Sequence, residues 1–140
     1  MQSILVAVDG SAHSLKGVEA AAKLARALPA ALELVYVVPP VLLAPSVYPD
    51  AIAQVEEGNR QVAREVLAAA QKAVPFEGLQ VDTVVANGAP AEALADLAQA
   101  DRVWGVVIGA KGHSAVARVL LGSVTDRLVH ICPKPVLVVR

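Results

Sequence analysis

Residues able to do chemistry concentrate between Val106 and Ser123, where an apolar run ends at Gly109 and glycines punctuate the loop that follows. The spacing is Gly109-x2-Gly112-x9-Gly122-Ser123, and a new helical pattern starts at its end. Glycines let a backbone come close to an anion, and the N–H groups at a helix start supply donors and the positive end of the helix dipole. This is a layout for cradling phosphates. The same residues admit a plainer reading, in which Gly109 and Gly112 make a turn and Ser123-Val-Thr-Asp126 is a capping-box variant that starts a helix.

A second acidic and glycine-bearing exit, Asp9-Gly10-Ser11, follows the first apolar run, Ile4 to Val8. Asp9 at such a place is either a cap for the next helix or an acceptor for ribose hydroxyls and a phosphate-bound metal ion. If the two exits are neighbours, the glycine loop and Asp9 form one site and the acceptor reading prevails.

The elements that must bring them together follow from periodicity. Ile4–Val8, Ala31–Val38, Gln80–Ala86, Val103–Ile108 and Val136–Val139 read as strands, rich in β-branched residues and mostly without alternation, as in parallel sheets buried on both faces. Between them lie four helical patterns. The first starts at His13, carries Leu15, Val18, Ala22 and Ala25 on one face and ends at Pro29. The second is long, with a seam of Ile52, Val55, Val62, Val66, Ala69 and Ala73 in which Asn59 replaces an apolar residue. The third opens on Gly88-Ala-Pro90, and the fourth runs from Ser123 to about Ile131. Pro39 and Pro40 end the second strand, and residues 41 to about 50 form an apolar, proline-punctuated loop. The order β-α-β-α-β-α-β-α-β calls for a parallel sheet with right-handed crossovers and helices on both faces.

Composition narrows the partners. The 140 residues suit one domain spanning 1–140, 56% are apolar, and the net charge is −1 with charges scattered singly. That argues against nucleic acid or an anionic membrane as partner. Cys132 is alone and reads as a core thiol, and the three histidines lack metal-site spacing, so no built-in metal site is expected. Prolines and Glu33 spoil the one membrane-like window, Leu28–Tyr48. The start, Met1-Gln-Ser, shows no leader, and a cytoplasmic protein is expected.

Several chemistries lack their signatures. There is no Gly-x4-Gly-Lys-Ser/Thr run and no Gly-x-Gly-x-x-Gly after the first strand. Gly112-His-Ser114-Ala-Val116 imitates a nucleophile elbow but lacks the closing glycine. No nucleophile with its base is visible, so catalytic residues are assigned to none, and hydrolysis is expected to be slow or absent.

The chain resembles the ATP-binding branch of the universal stress protein family. The likeness rests on Ile4-Leu-Val-Ala-Val-Asp-Gly-Ser11, the proline-rich exit of the second strand, Gly88-Ala-Pro90, the Gly109–Ser123 spacing and Pro135-Val-Leu-Val-Val139. It implies an open five-stranded parallel sheet in the order 3-2-1-4-5, Rossmann-like and of the adenine nucleotide alpha hydrolase type. It also implies ATP, AMP or another adenine nucleotide, with magnesium or manganese held mainly by phosphates near Asp9. Ala7 and Val8 would line the base pocket, the backbone around Val37 would read the adenine edge, and Asp9 would sit near the ribose. Amides of Gly109, Gly112, Gly122, Ser123 and Val124, with the hydroxyls of Ser123 and Thr125, would surround the phosphates. Gly-Ala110-Lys111-Gly departs from the family's commoner wording. Ala110 lacks a hydroxyl, while Lys111 keeps a positive charge for the phosphates or for solvent.

The resemblance further implies a protective or regulatory role under stress and a two-fold homodimer paired through Val136–Val139, a flat apolar edge that invites pairing. The rival readings are a slow ATP hydrolase or phosphotransferase, and a dimeric scaffold with a structural glycine loop.

Overall fold

A computed structural model describes residues 1–42, 49–111 and 120–140. The elements are β1 (Ser3–Ala7), α1 (Ala12–Ala27), β2 (Ala31–Val38), α2 (Pro49–Ala73), β3 (Val81–Asn87), α3 (Pro90–Leu97), β4 (Val103–Gly109), α4 (Ser123–Ile131) and β5 (Val136–Val139). All four strand pairings are parallel, and the order is β3-β2-β1-β4-β5, as expected from the resemblance.

Strand alternation divides the core in two. Ile4 and Val6 of β1, with Leu32 and Leu34 of β2, point to the face covered by α1 and α2. Leu5 and Val35 point to the other face, where Leu94, Ala98 and Leu128 of the α3–α4 side meet them. Each such fully buried aliphatic contributes about 1.5–3 kcal/mol, so the central strands carry most of the sheet's stability. The edge strands are less covered, and the polar flanks of β3 fit its place at one edge.

Two local expectations change. The seam expected for α2 is not its buried row: Ala63, Leu67 and Ala70 face the sheet, whereas Val55 and Val62 are 43% and 48% exposed. A long helix with two adjoining apolar stripes can be phased either way, and contact with β2 selects the row with small residues at 63 and 70. At α4 the capping box does not form. Gly122 is the N-cap, no described side chain caps the helix, and Ser123 is its first residue.

Glu33, on β2, is buried, and Arg102 just before β4 grips both of its carboxylate oxygens at 3.1 Å. Burial pushes this carboxyl upward, but the guanidinium's hydrogen bonds and charge outweigh it and hold it below the ordinary value of 4.5. Cys132 is partly buried against the α3–α4 core. No described helix is long and apolar enough to cross a membrane.

Candidate functional site

In this strand order the winding reverses between β1 and β4, so their carboxyl ends diverge into helices on opposite faces and leave a crevice. The crevice has a volume of about 280 Å3. Its walls include Ala7, Val8 and Asp9 from the β1 exit, Val37 from β2, Gly109 and Lys111 from the β4 exit, and Gly122, Ser123, Val124 and Thr125 from the start of α4. These are all the sequence-derived site residues except Gly112, which lies outside the described residues.

The β1 exit is held by a relay of local hydrogen bonds. The Asp9 carboxylate accepts from the Ser11 N–H at 2.8 Å, turning the chain through Gly10, whose φ of 86° suits glycine. Ser11 then caps α1 by accepting from the Ser14 N–H at 3.1 Å. The Ser14 hydroxyl in turn accepts from the Asp9 N–H at 3.1 Å. Asp9 is therefore both a turn-former and a carboxylate on the crevice wall, so the two sequence readings are not exclusive.

The β4 exit is packed more tightly than a phosphate loop requires. A Cβ at Gly109 would lie 2.6 Å from the carbonyl oxygen of His13, so this glycine is needed by the first turn of α1. Ala110 bonds through both of its main-chain groups: its N–H donates to the Val139 carbonyl at 2.7 Å, and its carbonyl, in the following peptide unit, accepts from the Gly122 N–H at 2.8 Å. Gly122's amide is thus already engaged. Thr125 is buried, and its hydroxyl donates to the Gly109 carbonyl at 2.8 Å, which ties the first turn of α4 to β4. That proton is spent on the scaffold. The first hydrogen bond of α4 runs from the Asp126 N–H to the Gly122 carbonyl, so the amides of Ser123, Val124 and Thr125 precede the helical ladder. They carry the positive end of the helix dipole toward the crevice.

Sequence reasoning missed Ser14, Val35, Tyr36, Pro90, Leu94 and Ile108, which also line the crevice. Pro90 had a signal, the Gly88-Ala-Pro90 start of α3, read only as a helix start. Arg127 of α4 donates to Glu92 of α3 at 2.9 Å and braces the two helices that flank this side. Among the described residues no three of His, Cys, Asp or Glu gather to hold a metal, and Asp9 is the one carboxylate among the described residues of the crevice wall.

A doubly wound parallel sheet with a crevice at its reversal point, rimmed by a helix N-terminus and a carboxylate, is a Rossmann-like arrangement. The chain belongs to the universal stress protein family, whose model matches residues 1–140. It is 32% identical to universal stress protein YxiE of Bacillus subtilis over 98% of this chain and 97% of that one. Universal stress protein UspA from Lactobacillus plantarum superposes with a TM-score of 0.86 at 24% identity, covering 99% and 97% of the two chains, a likeness of fold. A universal stress protein solved in complex with cAMP is 27% identical, with a TM-score of 0.69 over 99% of this chain and 97% of that one.

Proposed function

We propose that this protein binds ATP, together with magnesium or manganese, in the β1–β4 crevice and acts in the cytoplasm as a regulatory or protective stress protein whose occupancy is the signal. The observation that carries the reading is the start of α4, which no described side chain caps and which opens on the same crevice as Asp9. A volume of about 280 Å3 is at the lower end of the ~300–1,000 Å3 usual for small-molecule sites. It suits a nucleoside body with phosphates running out along the rim.

In this reading Ala7 and Val8 form an apolar bed for adenine, the backbone around Val37 reads its edge, and Asp9 accepts from the ribose. The phosphates meet the Ser123, Val124 and Thr125 amides, the Ser123 hydroxyl and Lys111, while Gly112 completes the loop spacing. Gly109 and Gly122 shape this cradle. The cation sits mainly on phosphate oxygens near Asp9, where it offsets charge. Cradling alone selects no attacking water, so the protein is a binder with slow or no hydrolysis. The relative solved with cAMP supports the adenine part of the assignment. The same reading includes a single domain over 1–140 and a homodimer through β5.

Heat denaturation of the purified protein, with mass analysis of what is released, tests the ligand, and calorimetry with ATP and Mg2+ tests the site. Asp9→Asn keeps an oxygen for the Ser11 N–H but removes the charge. It should weaken ATP–Mg2+ binding by about tenfold, the loss of one charge-assisted contact of ~1.5 kcal/mol. No released adenine compound and no heat with ATP, AMP or cAMP would remove the proposal.

A further inference from the structure

The apolar seam of α2 that the sheet leaves uncovered is the largest feature that the crevice does not explain. Its residues recur at alternating intervals of three and four, the spacing of a heptad seam, with one polar member, Asn59. The row is graded in size. Ile52, Val55 and Val62 are bulky and partly or largely exposed, while Ala69 and Ala73 are small and exposed. Beside the small half lies a groove of about 580 Å3 between α2 and the start of α1, walled by Val62, Val66, Ala69 and Ala73 against Leu15 and Ala12. The helix therefore carries ridges on one half and a hollow on the other.

Charge follows the same polarity. The first turns hold Asp50, Glu56 and Glu57, whereas Arg60, Arg64 and Lys72, opposed only by Glu65, occupy the remainder. Glu57 is satisfied within the helix by Arg60 and Arg64, and Glu56 keeps only a long, exposed 3.8 Å pair with Arg60. Lys72 makes no ion pair among the described residues.

We propose that this face of α2 is a second self-association surface, on which two copies of the chain pair their α2 helices antiparallel about a two-fold axis near Arg64. Antiparallel pairing sets the bulky half of each helix in the hollow of the other. Val55 faces Ala73 of the second copy, Val62 faces Val66, and Glu56 approaches Lys72, since each pair is equidistant from position 64. Asn59 interrupts the apolar row once, a feature that fixes register at some cost in stability. A parallel alignment would set ridge against ridge and acidic end against acidic end. The interface is isologous and so closes on two copies. It lies on the α1–α2 face, away from β5, and is independent of pairing there.

Val62→Glu puts a carboxylate in the centre of the seam at a position 48% exposed within the protomer. The mass by light scattering should fall to half or less of that of the unsubstituted protein, whether or not β5 is also paired, with an unchanged circular dichroism spectrum and a melting temperature that no longer rises with protein concentration through this interface. An unchanged mass overturns the proposal, including the case in which the seam serves a different protein. In a Cys132→Ser background, mixed Val62→Cys and Val66→Cys chains should form their joint disulfide on oxidation at least about fivefold faster than Val62→Cys mixed with Gln71→Cys on the outer face. Equal rates in the two mixtures overturn it as well.

Discussion

Gly109 shows how one residue serves both packing and site. Its missing side chain admits the His13 carbonyl, and a Cβ there would sit 2.6 Å from that oxygen. Gly109→Ala should therefore cost about 1–3 kcal/mol as an overpacking change, seen as a melting point lower by several degrees. If the melting point holds, α1 is not seated on β4 as described. Thr125→Val should lose stability of similar order, about 1–3 kcal/mol, because the buried Gly109 carbonyl loses its donor. Thr125→Ser should recover most of it. At this scale the sequence was legible in residue type but not in partner. The glycine spacing pointed to the crevice, yet nothing local tells that Gly122's amide goes to Ala110, or that Thr125 reaches back 16 positions to Gly109.

Among the elements, β1, β2 and β4 were legible because unbroken β-branched runs leave few alternatives to a strand buried on both faces. The phase of α2 was not, since two adjoining apolar stripes exist and only the position of the sheet decides between them. The bond between β2 and the turn before β4 was invisible for another reason: Glu33 and Arg102 are 69 residues apart. This pair carries a pH dependence. The folded-state carboxyl of Glu33 is held below its ordinary value, so its contribution is present above pH 4.5 and is lost as the pH falls through the folded-state value. Melting temperatures of the unsubstituted protein and Glu33→Gln should therefore differ most near neutral pH and converge in acid. A gap that is constant over that range would show that the ion pair does not titrate with folding.

For the whole molecule, the edge strand β5 is where the proposed homodimer is tested. Pro135 and Val139 direct their carbonyls to β4, and in a parallel ladder the intervening residues Val136 and Val138 direct theirs outward. Val138→Pro removes one outward N–H without touching the ladder to β4. If β5 pairs with its counterpart, this substitution should lower the mass by half in light scattering, and an unaltered mass would count against pairing at this edge. The same strand also bears on the ligand. Its last carbonyl holds the Ala110 N–H, and the oxygen of that same peptide unit, the Gly109 carbonyl, holds the Thr125 hydroxyl in the first turn of α4. A single amide plane is thus the hinge pin between rim and border: any molecule that stills the mouth of the cradle also steadies the outermost strand, and a neighbour zipped along that strand returns the favour by the reciprocity of linked equilibria.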